Sequence, residues 1–179
     1  EKLNKDQKYF FDDKLFTNSV YVSNIGLNTK NGELSIPYIP NMTFATYVFD
    51  GNGAQMGLLV LSYDISKLLS FIEKSSTGNM IMIDQDGYII QDNDKTKIFG
   101  RQLGTGYNYF AHINGLKNSA SVYDSGFFVD DDSLYKIWNK LSHPTQPEKY
   151  WILIYEIQDS ELYAPITSVM INSSYVIVI

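Results

Sequence analysis

Residues 42–64 read Met42-Thr43-Phe44-Ala45-Thr46-Tyr47-Val48-Phe49, then Asp50-Gly51-Asn52-Gly53-Ala54-Gln55, then Met56-Gly57-Leu58-Leu59-Val60-Leu61-Ser62-Tyr63-Asp64. Two runs rich in β-branched, aromatic and aliphatic residues flank a cluster of Gly, Asn and Asp, residues that tolerate tight reversals, so the stretch predicts an antiparallel hairpin. The second strand leads straight into a helix. Asp64 or Ser66 supplies a side-chain oxygen for the first free N–H groups, and Ile65, Leu68, Leu69 and Ile72 recur at the i, i+3, i+4, i+7 spacing of one apolar face.

Upstream, residues 3–16 place Tyr9, Phe10, Leu15 and Phe16 among charged residues at helical spacing, which predicts a short amphipathic helix capping a sheet. Val20-Tyr21-Val22-Ser23 reads as a strand and Asn31-Gly32 as a strong turn, while Pro37 and Pro40 restrict what lies between them to irregular or edge structure. Downstream, the small polar Ser75-Ser76-Thr77-Gly78-Asn79 precedes a repeat of the same grammar: Met80-Ile81-Met82-Ile83, a turn at Asp84-Gln85-Asp86-Gly87, then Tyr88-Ile89-Ile90. Further strands are expected at 120–123, 126–129 and 150–157, with a looser Gly-rich segment over 98–116. A last helix is expected from Ser160, with Leu162, Ile166, Val169 and Met170 on one side. Strands without βαβ alternation predict an α+β fold of antiparallel sheets flanked by helices. The chain divides into 1–75, 76–159 and an exit helix at 160–179.

With 44% hydrophobic and 15% aromatic residues in 179, the chain holds enough apolar material for a buried core. Its 14 basic against 20 acidic residues give a formal charge of −6, the wrong sign for neutralising phosphates, so no nucleic-acid partner is expected. There is no cysteine, which removes disulfides, thiol nucleophiles and thiolate metal sites. The final Tyr175-Val176-Ile177-Val178-Ile179 is too short to span a bilayer, which takes roughly 20 apolar residues, and reads either as a packed terminal element or as the start of a membrane helix.

A search for chemistry finds none. His112 and His143 have no carboxylate at metal-ligand spacing. Gly51 to Gly57 imitates a dinucleotide fingerprint, but its third glycine comes one position late and a strand follows it. Asp84 to Gly87 ends like a calcium loop without the closing glutamate, and Asp130-Asp131-Asp132 reads as a solvated acidic loop. No nucleophile elbow appears. No catalytic residue, metal or cofactor is therefore expected of this fragment.

The ordered set Tyr9-Phe10-Phe11, Val20 to Ser23, Leu27-Asn28, Pro37, Phe44 to Asp50, Gly53, Gly57 to Asp64, Leu68-Leu69 and Met82 to Ile90 resembles the double Cache family of PAS-like sensor domains. The likeness is closest to the branch on bacterial sensor kinases, diguanylate cyclases and chemoreceptors. It implies two Cache-type modules, residues 1–75 being only the back half of the membrane-distal one and 76–159 the membrane-proximal one. In amino-acid-binding members, an arginine, a Trp-Tyr pair, a strand tyrosine and a late aspartate hold the ligand. Asp64 matches that aspartate and Tyr21 the tyrosine, Tyr9 and Phe10 stand for the Trp-Tyr pair, and Asp6, Gln7 and Lys8 occupy the arginine's neighbourhood. A bidentate guanidinium grip on a carboxylate is thus missing from that helix.

The resemblance implies an extracytoplasmic, membrane-anchored receptor that binds a small polar metabolite, pairs as a homodimer through helices and signals to a cytoplasmic output domain. Aromatic walls with a few inward polar groups suit a small ligand, so the expected binding residues are Tyr9, Tyr21, Ser23, Thr46, Tyr47, Tyr63 and Asp64. The alternative is a protein-interaction module with a filled core and an exposed aromatic patch.

Overall fold

The computed structural model describes residues 20–73, 78–113, 115–129, 134–143 and 146–161. The helix expected over 3–16, the acidic run at 130–132 and positions 162–179 of the expected exit helix lie outside them. Among the described residues the first elements are β1 (Tyr21–Val22), β2 (Gly26–Leu27), β3 (Thr29–Lys30) and β4 (Glu33–Leu34), followed by the long strands β5 (Pro40–Phe49) and β6 (Gln55–Asp64). The hairpin forms as expected: β5 pairs antiparallel with β6 along its length, and its other edge takes β1 (Tyr21 opposite Ala45) and β2 (Gly26 opposite Asn41). Asp50 closes the reversal, its Oδ1 accepting the N–H groups of Asn52 at 2.9 Å and Ala54 at 2.8 Å. Asn31 (φ 59) and Gly32 (φ 88) turn β3 into β4, both in the left-handed region that a two-residue hairpin loop requires. Pro40 begins its strand, the position where a missing N–H is tolerated.

Helix α1 (Ser66–Glu73) starts where Asp64 Oδ1 accepts the Ser66 N–H at 2.8 Å. Ile65 and Leu69 are buried and Ile72 is half-buried, whereas Leu68 is 52% exposed. The apolar stripe is thus one residue narrower than its spacing suggests, because the helix lies on β7 and β8 along the 65–69–72 line only.

The second part contains β7 (Asn79–Asp84), β8 (Ile89–Gln91), α2 (Gly100–Leu103), a 3₁₀ turn (Tyr109–Ala111), α3 (Leu116–Val122), β9 (Ser125–Val129), β10 (Leu134–His143) and β11 (Gln146–Gln158). Its antiparallel sheet has the PAS-like order β8-β7-β11-β10-β9, with α3 and the 3₁₀ turn over one face and α1 over the other. Alternation along the strands sorts the side chains between two cores. On one face Ile81, Ile83, Ile152, Ile154 and Trp138 pack under Tyr109, Leu116 and Ala120. On the other, Met82 and Ile90 with Trp151 and Leu153 meet Ile25, Leu27, Ile65 and Leu69, which joins the two sheets.

Gly87 and Gly126 are two of the positions that require glycine. Gly87 (φ 87) would put a Cβ 2.5 Å from the Phe110 ring, and Gly126 would put one 2.8 Å from the Trp138 indole nitrogen opposite it.

Two elements differ from the sequence reading. The strand expected at 120–123 is the end of α3: Leu116 and Ala120 are buried one helical turn apart, and Val122 is 70% exposed. Strand β10 was not expected, because its core face carries Lys136, Trp138 and Lys140 while Tyr135, Ile137 and Leu141 point the other way, which inverts the usual alternation. His143 accordingly ends a strand and is half-buried.

Candidate functional site

A cavity of about 480 Å³ lies where the first sheet meets the second, within the size range of small-molecule sites, about 300–1,000 Å³. Tyr21, Ser23, Asn24 and Gly26 form one side, and Asp84, Tyr88, Ile89 and Ile90 another. Phe99, Arg101 and Gln102 come from the start of α2, and Lys149 from the start of β11.

Hydrogen bonds between distant segments hold these walls. Ser23 Oγ accepts the Thr43 N–H at 2.8 Å and donates to the Asn24 carbonyl at 2.7 Å, fixing the chain as it leaves β1. Gln102 Oε1 accepts the Leu27 N–H at 2.8 Å, with the amide lying where a side chain on Gly26 would stand. Lys149 Nζ donates to the Val22 carbonyl at 2.6 Å and sits 3.9 Å from the centre of the Tyr21 ring. Asn24 Oδ1 is buried without a hydrogen-bond partner among the described residues.

Phe99 aims the helix. It is buried in the left-handed region (φ 52, ψ 34), where a bulky residue costs about 1–3 kcal/mol. Its N–H donates to Ile89 O at 2.7 Å and its carbonyl accepts from Gln102 and Leu103, both at 2.9 Å. Those bonds hold the strained turn and direct Arg101 and Gln102 toward the cavity.

The charges are unevenly matched. Arg101 stacks 4.2 Å over the Tyr88 ring and donates to Asp86 at 2.6 Å, with Asp84 at 3.6 Å. Asp84 Oδ1 accepts the N–H groups of Asp86 at 3.0 Å and Tyr88 at 2.9 Å. Burial nevertheless pushes the Asp84 carboxyl above its ordinary value, against the pull of the Tyr88 N–H and the Arg101 guanidinium. Burial also lowers the Lys149 ammonium, opposed by Glu148.

Because its folded-state pKa is raised, Asp84 contributes stability that is fully present below the unfolded value near 3.8 and is lost as pH rises through the folded one. Arg101→Met removes the guanidinium that resists the shift. It is expected to raise the Asp84 pKa further and to steepen the loss of stability with rising pH, as read by carboxyl-carbon NMR titration and melts at several pH values. An unchanged Asp84 titration would refute this coupling.

Of the residues expected from sequence, Tyr21 and Ser23 line the cavity, and Tyr9 lies outside the described residues. The strand register separates the others. Tyr63 opposite Met42, and Thr46 opposite Leu59, share one face of the β5–β6 hairpin; Tyr47, with Ala45 and Leu58 beside Tyr21, and Asp64, opposite Asn41, lie on the other. Tyr63 is 59% exposed. Asp64 is exposed, and its carboxyl is held below the usual aspartate value by its hydrogen bonds with the Ser66 side chain and N–H. Asp84 was legible only as a turn residue, and Asn24, Arg101, Gln102 and Lys149 carry no local signal.

A model of the family described as "Bacterial histidine kinase, sensor domain" matches residues 1–154. Among solved structures, the extracellular domain assigned to histidine kinase vpHK1S-Z8 superimposes with a TM-score of 0.72 at 18% identity, covering 91% of this chain and 58% of that one. A domain of a sensory box/GGDEF family protein from Vibrio parahaemolyticus gives 0.71 at 18% identity, covering 89% and 59%. The periplasmic sensory domain of the Campylobacter jejuni chemoreceptor Tlp1 gives 0.60 at 15% identity, covering 83% and 52%. The chain thus spans less than two thirds of the length of these structures. No curated protein matches it. The family match covers most of the chain and the fold agrees with it, being that of extracellular and periplasmic sensor domains: the chain belongs to the bacterial histidine kinase sensor-domain family.

Proposed function

We propose that this domain senses a small polar molecule held between β1 and α2 and converts its binding into a change in how the two sheets dock. The observation carrying this reading is a cavity whose walls come from both sheets and from β11, the strand that ends at Gln158 beside the helical residues 159–161. A ligand shifts a conformational equilibrium only by its differential affinity for the two states, and a site shared by two packed bodies has that differential built in. In this reading residues 1–75 and 76–159 act as the two modules, and 160–179 carries the change toward the membrane in a homodimer. This fragment binds without turnover, and catalysis belongs to a cytoplasmic output domain.

The test is thermal melting against a metabolite panel, with hydrogen exchange on any binder. A true ligand at a hundred times its Kd is expected to stabilise by about 2.7 kcal/mol. It should protect residues 23–27 and 99–102 together. A ligand response abolished by Asp64→Ala but indifferent to changes at Lys149 would move the site to the β5–β6 hairpin. A panel that never shifts the melt would favour the protein-interaction reading.

A further inference from the structure

The electrostatics of the cavity define what it takes. Arg101 lies against two carboxylates, Asp86 at 2.6 Å and Asp84 at 3.6 Å, so its charge is already matched. Lys149 is different. Its ammonium donates to one backbone carbonyl and rests on the Tyr21 ring, and no carboxylate among the described residues lies within 4.0 Å of it. An ammonium has three N–H donors, so two are unspent here. Tyr21 is buried behind it, and Ile25, Ile89, Ile90 and Phe99 supply apolar wall.

Resting on the reading of this cavity as the ligand site, we infer that its ligand is a small monocarboxylate with an apolar body, its carboxylate accepting from Lys149 Nζ. One cation with no carboxylate in contact among the described residues matches one negative charge. A second negative charge on the ligand would meet the Asp84 carboxylate with no further free cation among the described lining residues to offset it, which disfavours dicarboxylates and phosphates. A neutral molecule would leave the half-buried ammonium without a carboxylate in contact among the described residues.

The test is calorimetric titration of the 179-residue chain with isovalerate and benzoate, their neutral amides, succinate and inorganic phosphate, followed by hydrogen exchange on the binders. At least one monocarboxylate is expected to bind with protection at Tyr21, Ile89 and Phe99, and its amide, succinate and phosphate at least tenfold more weakly. Lys149→Met should reduce monocarboxylate affinity at least tenfold and Lys149→Arg only a few-fold. If Lys149→Met does not fold, the acid and amide comparison on the unmodified chain decides. Equal binding of acid and amide, or tighter binding of succinate or phosphate, overturns the inference. So does protection of the cavity by a neutral panel compound when no monocarboxylate binds, a result that leaves the cavity reading standing. If no compound of any charge protects the cavity, both fall.

Discussion

Glu156→Leu is expected to destabilise the domain by about 3 kcal/mol, read as a shift of the urea midpoint at unchanged slope. Glu156 on β11 faces Lys136 on β10 and Asn79 on β7 in register. Its Oε1 lies 3.2 Å from Lys136 Nζ and accepts the Tyr109 hydroxyl at 2.8 Å, and the Lys136 and Glu156 side chains are only 7% and 14% exposed. Burial, and then the Glu156 charge, hold the Tyr109 hydroxyl far above the ordinary phenol value, so it stays a donor throughout the working pH range. Removing the carboxylate deprives a desolvated ammonium and a buried hydroxyl of their shared acceptor. Glu156→Gln should cost less, since it keeps an acceptor for Tyr109. Combining Glu156→Leu with Lys136→Met should recover much of the loss, because an apolar pair of similar volume avoids the desolvation penalty. A Glu156→Leu midpoint indistinguishable from the parent would show that the row contributes nothing net.

Leu69→Ala is expected to cost about 2–5 kcal/mol, with the loss concentrated in the first sheet. Leu69 is 4% exposed in the core that joins the sheets, among Ile25, Leu27, Ile65, Met82, Ile90 and Phe99. Among the described residues the first sheet has little else to hold it: away from that junction its buried cluster is Tyr21 with Ala45, and Leu59, Leu61 and Tyr63 on β6 are each more than half exposed. The second sheet has an independent core of isoleucines around Trp138. Native-state hydrogen exchange should therefore show β5 and β6 losing protection while β7 and β11 retain theirs. Equal loss in both sheets would mean that they unfold as one unit, and that the junction is not a separable element on which a ligand can act.

The readable parts were those governed by neighbours in sequence. The hairpin from 42 to 64, the Asn31-Gly32 turn, the Asp84–Gly87 turn and the Asp64 cap follow from backbone preferences and side-chain bonds a few residues long. The elements misread were those in which a distant partner overrides the local signal. Strand β10 hides its pattern because Lys136 and Lys140 face the core side, and Lys136 can do so because Glu156, twenty residues away, meets it there. The end of α3 carries the strand-like residue Val122 with Tyr123 as its extended C-cap, yet burial of Leu116 and Ala120 together makes the segment up to Val122 helical.

By itself the sequence determined the fold class, the order of most strands and the likeness to a sensor family. It did so because alternation, turn chemistry and capping are short-range effects. Only the tertiary structure decided which side chains share a cavity. Lys149 reaches the Val22 carbonyl, Gln102 reaches the Leu27 N–H, and the register of β5 on β6 puts Thr46 and Tyr63 on the opposite face from Tyr47 and Asp64. These juxtapositions depend on how two sheets dock through a shared apolar core, and that packing leaves no periodic trace in either segment.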